Sequence, residues 1–99
     1  MIVERGVFTI LPGREEEFER TFYEQARHVI AQSPGFISAR LARGIEQPDT
    51  FLLLVEWETL EDHTEGFRGS EQFTRWRELL GPCFAEAPAV EHYQPKGDS

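Results

Sequence analysis

The elements readable in this chain run β-α-β-β-α-β. That is the ferredoxin-like order of an α+β domain, a four-stranded antiparallel sheet with helices on one face. Three observations predict it. Four segments alternate or run apolar with the short period of strands. Two longer stretches carry apolar residues at helical spacing. Pro-Gly pairs or polar turns separate the pieces. At 99 residues the chain holds one domain, assigned to residues 1–94, with residues 95–99 expected as a disordered tail.

The first strand spans residues 2–11. Val3, Val7, Thr9 and Leu11 lie on one side, and Ile2, Gly6, Phe8 and Ile10 on the other. Neither side is polar, so both are expected to be covered. Pro12-Gly13 ends it, and residues 14–32 read as a helix. Glu15, Glu16 and Glu17 occupy its first turn, where the helix dipole favours negative charge. Phe18, Phe22, Ala26, Val29 and Ile30 form its apolar stripe. Ser33-Pro34-Gly35 stops it.

Residues 36–45 form a second strand, with Ile37, Ala39 and Leu41 on one face and Phe36, Ser38 and Arg40 on the other. A turn at Gln47-Pro48-Asp49 leads to the third strand, residues 51–58. Its run Phe51-Leu52-Leu53-Leu54-Val55 suits a central strand buried on both faces. The two strands are expected to pair as an antiparallel hairpin. Thr59 reads as a helix N-cap answered by Asp62. The helix carries Leu60, His63 and Phe67 and is expected to break near Phe67-Arg68-Gly69. Ser70 caps a further helix with the stripe Phe73, Trp76, Leu80. Gly81-Pro82 ends it, and residues 88–93 make the last strand.

Apolar residues on both sides of strands one and three leave one sheet face without a helix to cover it. Soluble monomers avoid so large an apolar patch. A two-fold homodimer, sheet against sheet, is the expected cover.

Composition excludes several functions. The formal net charge is −8, which disfavours nucleic acid and anionic membranes and favours a neutral or cationic ligand. Cys83 is the single cysteine, so no internal disulfide forms and a cytoplasmic location fits. It reads as a small buried thiol. No apolar run is long enough to span a membrane. His28, His63 and His92 lack metal-ligand spacing, and no Gly-rich phosphate loop is present. No metal and no cofactor is expected.

The stretch from Trp57 through His63, Phe67, Ser70 and Phe73 to Trp76, followed by Val90-Glu91-His92-Tyr93 and preceded by Pro34-Gly35-Phe36, resembles the antibiotic biosynthesis monooxygenase (ABM) domain family. The likeness runs from Val3 to Tyr93. It implies a dimeric α+β barrel with a cavity in each subunit between sheet and helices. It also implies oxidation of a quinol or other aromatic molecule by O₂ without metal or flavin. The haem-degrading branch of the family is not matched. Its Asn, Trp and His fall on Gly6, Phe67 and Arg77, and Arg77 cannot be an axial ligand.

Cofactor-free oxygenation needs a substrate made electron-rich by loss of a proton, hence a base or a charge stabiliser in a dry pocket. His63 and His92 are the candidate catalytic residues, because imidazole accepts a proton near neutrality. Each also fits a structural role. His28 reads as surface. Phe67, Phe73, Trp76 and Trp57 are the candidate substrate-binding rings, equally suited to the core. Arg40 is the candidate anion holder, with pairing to Glu56 across the hairpin the favoured alternative. The leading functional reading is a cofactor-independent monooxygenase of an aromatic small molecule. The alternatives are a non-catalytic small-ligand-binding or stress-related dimer of the same fold and a His-dependent isomerase or cyclase.

Overall fold

The computed structural model describes residues 1–97; the last two residues of the expected tail lie outside the described residues. Four strands, β1 (Ile2–Thr9), β2 (Phe36–Arg43), β3 (Thr50–Trp57) and β4 (Ala89–Tyr93), form one antiparallel sheet in the order β2-β3-β1-β4. The helices are α1 (Glu15–Thr21), α2 (Arg27–Ile30) and α3 (Glu71–Leu80). The ferredoxin-like α+β architecture expected from the element order is the one found.

Alternation decides the layers. Phe8 and Ile10 of the β1 segment and Phe51, Leu53, Val55 and Trp57 of β3 point to the helices and are buried. There they meet Phe18, Phe22, Ala26 and Ile30 from the first helical rod and Trp76 and Leu80 from α3. Burying side chains of this size contributes roughly 1.5–3 kcal/mol each. Val3, Val7, Leu52 and Leu54 point the other way and are half-buried.

The first helix is not uniform. A π-helical turn, Phe22–Ala26, joins α1 to α2. Such a turn adds a residue to the local register, and here it accompanies the inward placement of both Phe22 and Ala26. The second helix after β3 contains another π turn, Asp62–Phe67, with His63 and Phe67 buried. Thr59 and Asp62 form the expected reciprocal cap: Asp62 N–H donates to Thr59 Oγ1 at 3.1 Å, and Thr59 N–H to Asp62 Oδ2 at 3.2 Å. The chain breaks at Arg68-Gly69, and Ser70 Oγ accepts from Phe73 N–H to start α3.

Four side chains, Phe36, Ile37, Leu60 and Arg40, sit differently from their expected places. A bulge between Phe36 and Ser38 moves Phe36 to the helix side, where it meets Trp57 edge-on at 5.9 Å between centroids, and turns Ile37 out to 45% exposure. A bulge places one extra residue in the strand, so strict alternation fails there. Leu60 is exposed rather than part of the apolar stripe; it precedes the π turn and lies beyond the reach of the core. The expected Arg40–Glu56 pair is replaced by a hydrogen bond from Ser38 Oγ to Glu56 Oε1 at 2.6 Å. Ser38 stands opposite Glu56 in register, whereas Arg40 stands opposite Leu54.

Gly35 precedes β2 with φ of +84°, a region open to glycine. A Cβ there would collide with the Asp62 carboxyl. The turn after the first helical rod is thus packed tightly against the cap of the segment that carries His63.

Candidate active site

Between the sheet and the second helical segment lies a cavity of about 320 Å³, within the usual range for small-molecule sites. Phe8 and Val90 contribute from the sheet, His63 and Phe67 from the second π turn, Phe73 and Trp76 from α3, and Phe84 from the loop before β4. The aromatic rings surround the space rather than fill it. Phe67 meets Phe73 and Trp76 edge-on, with centroids 5.3 and 5.9 Å apart, the geometry ring quadrupoles prefer.

A chain of polar groups stands at one wall. Glu4 and His63 are buried, at 5% and 2% exposure. Register pairs Glu4 with His92 across β1 and β4, which sets both side chains on the helix side of the sheet. His63 Nδ1 and His92 Nε2 are 2.7 Å apart, so one donates and the other accepts. On its other side His63 Nε2 faces Glu4 Oε1 at 3.3 Å. Trp57 Nε1–H donates to the same Glu4 oxygen at 2.9 Å, and the Trp57 ring lies stacked near His63 at 5.3 Å.

Burial sets the charge states. It pushes the Glu4 carboxyl above its ordinary value, opposed by the Trp57 hydrogen bond and the Arg68 cation. It lowers His63 to about 3, with Arg68 and then His92 adding to the effect. His92 is lowered too, by burial and then by Arg68. Burial thus holds both histidines toward the neutral form. The Glu4–His63 contact is therefore not a salt bridge.

Arg68 and Arg77, both exposed, also line the cavity. Neither has an ion-pair partner among the described residues; the Arg77 guanidinium lies 5.7 Å from the centre of the Phe73 ring. The net charge of −8 points to a neutral or cationic ligand, yet two arginines line the cavity.

The structure thus brings together five of the seven residues singled out in the sequence. His63, Phe67, Phe73 and Trp76 line the cavity, and His92 stands behind His63. Trp57 sits one layer back, holding Glu4 rather than facing the space. Arg40 is absent from the site: it is exposed on the helix-free face, opposite Leu54. Glu4, Arg68 and Arg77 are the residues that sequence reasoning passed over. Glu4 carried a readable signal, since it shares the inward side of β1 with Ile2, Gly6 and Phe8, where a carboxylate is costly. His28 is exposed, as expected. Among the described residues no His, Cys, Asp and Glu group is arranged to hold a metal, and no helix is long and apolar enough to cross a membrane.

Comparison with known proteins agrees with this architecture. The uncharacterized protein YczJ of Bacillus subtilis (strain 168) is 46% identical over 94 residues, covering 95% of this chain and 98% of that protein. A candidate antibiotic biosynthesis monooxygenase from Bordetella bronchiseptica, known by crystal structure, is 41% identical, with 96% of each chain covered and a TM-score of 0.92. SnoaB, a cofactor-independent oxygenase from Streptomyces nogalater, shares the fold at 16% identity and a TM-score of 0.82, over 98% of this chain and 94% of its own. The family model for antibiotic biosynthesis monooxygenase matches residues 1–79, and the chain belongs to that family.

Proposed function

We propose that the protein is a cofactor-independent monooxygenase that oxidises an aromatic, quinol-type small molecule with O₂. The observation that carries this reading is the ring-lined cavity with the buried Glu4 and His63 at its wall and His92 hydrogen-bonded behind them. Phe67, Phe73 and Trp76 would hold a planar substrate. The polar chain would handle its acidic proton, and Arg68 would stabilise the resulting anion in surroundings poor in water. An electron-rich anion can pass electrons to O₂, which a neutral closed-shell ring does slowly. At a hydroxyanthrone methylene the overall change is CH₂ + O₂ giving C=O + H₂O. One oxygen atom enters the product, the other leaves as water, and the substrate supplies all the electrons. SnoaB, which has the same fold, is described as a cofactor-independent oxygenase and lends support.

The working unit in this reading is a homodimer formed through the helix-free sheet face, whose half-buried Val3, Val7, Leu52 and Leu54 need a cover. Oxygen uptake with a panel of quinols and hydroxyanthrones tests the reading. Turnover should fall about a hundredfold or more in His63→Ala and measurably in His92→Ala. Tight binding of the panel with no uptake above the variant level would replace it with the non-catalytic ligand-binding reading.

A further inference from the structure

A carboxylate buried in a protein is costly unless its oxygens are satisfied or used. Glu4 is only half satisfied. Its Oε1 accepts from Trp57 and faces His63, while Oε2 has no partner among the described residues. Ser33 Oγ is the one side-chain polar atom among them that is sealed off without a hydrogen bond. Glu4 Oε2 is therefore not sealed, and Glu4 is among the residues that line the cavity. The histidines are placed differently. Nδ1 of His63 is committed to His92, and Nε2 is directed at Glu4. His92 does not line the cavity at all.

The geometry points to Glu4 Oε2 as the atom that takes the acidic proton of a phenolic or enolisable aromatic substrate, with His63 and His92 behind it as positioning residues. This rests on the aromatic reading of the cavity and adds the substrate's chemistry: it must carry a proton that a carboxylate can remove. In the step the substrate O–H, or the C–H next to its carbonyl, breaks. Its electron pair stays on the substrate, and an O–H bond forms at Glu4. Negative charge passes from Glu4 to the ligand, and no oxidant is consumed.

Every group facing Glu4 fits that exchange. Trp57 from β3 holds Oε1. His63 and Arg68, from the second π turn and the residue after it, and His92 from β4 surround the carboxyl, and Arg77 from α3 lines the same cavity. Arg68 remains as counter-charge when the anion moves to the ligand. Burial raises the Glu4 carboxyl, which brings it nearer to the acidity of a phenol and makes it a better proton acceptor.

Anaerobic mixing with the hydroxyanthrone dithranol tests Glu4 separately from oxygenation, because the coloured anion forms without O₂. Wild-type protein should generate the anion below the pH at which free dithranol ionises. Glu4→Gln keeps an acceptor for Trp57 and removes the base; anion formation should slow about a hundredfold, and Glu4→Asp should restore part of it. His92→Gln should slow it by less than about tenfold. An anion formed as fast by Glu4→Gln as by wild type overturns the assignment, and so does its absence from wild type. Should Glu4→Gln fail to fold, Glu4→Asp decides: a shifted midpoint in the pH profile of anion formation supports Glu4, and an unchanged midpoint overturns it. Anion formation without O₂ uptake would uphold Glu4 while removing the oxygenase reading.

Discussion

The two faces of the sheet are built from the same strands, yet they break opposite rules. On the helix side, alternate residues of β3 bury Phe51, Leu53, Val55 and Trp57 almost completely, and the exception is polar: Glu4 and His63 sit among rings. On the helix-free side, Ser38–Glu56 and Arg5–Glu91 pairs are ordinary surface contacts, and the exception is apolar, with Leu52 and Leu54 half-buried at the sheet's centre. Polar groups persist in a core when chemistry needs them, and apolar groups persist on a surface when something covers them. In the proposed reading each anomaly has its own complement, a substrate on one side and a second subunit on the other.

Substitutions on each face can break that contrast. Phe51→Ala should give the largest effect, about 3–5 kcal/mol of lost stability, read as a Tm lower by more than roughly 12 °C. A loss no larger than that of Leu52→Ala would show both faces equally buried in solution. Leu54→Arg should come next. It places a charge where a twin face would press, and sedimentation at micromolar concentration should change from dimer to monomer. If wild type already sediments as a monomer, the outer leucines are simply solvated and the two-subunit reading ends.

The smallest effect concerns pH. The unfolded chain protonates His63 near 6.5, whereas the folded state resists until about 3. Its neutral burial is compatible with folding above 6.5 and costs stability as pH falls toward 3. Glu4 acts in the opposite sense: its raised carboxyl makes its cost grow as pH rises above its ordinary 4.5. His63→Gln should therefore flatten the fall in Tm between pH 6.5 and 3 relative to wild type. Equal slopes would mean that His63 is hydrated in solution and the polar chain is open to water.

Much of this architecture was legible because its signals are local. Thr59 with Asp62, Ser70 with Phe73, and Gly69 as a breaker act within a few residues, and the fold follows from their order. What the sequence hid depends on distant contacts. Period two sorts a strand's residues into two faces without saying which face the helices cover, so it leaves Arg40 open both to holding an anion in the cavity and to pairing with Glu56, and the structure shows neither. The bulge that swaps Phe36 for Ile37 arises where β2 meets Trp57, some twenty residues along the chain. The π turns keep helical periodicity at both ends and reveal themselves only through packing. Glu4 was overlooked because one acidic residue among 18 draws notice only after its side of β1 is known to be enclosed.

Strand order has one last consequence. β4 is an edge strand paired only to β1, and His92, carried on it, is only half-buried while its partner His63 is enclosed. With a ligand seated among the rings, beside the exposed Arg68 and Arg77, hydrogen ions could still exchange with bulk water by way of His92 at the flank of the sheet. In the proposed reaction, entry of the organic molecule and departure of its proton would then follow separate routes.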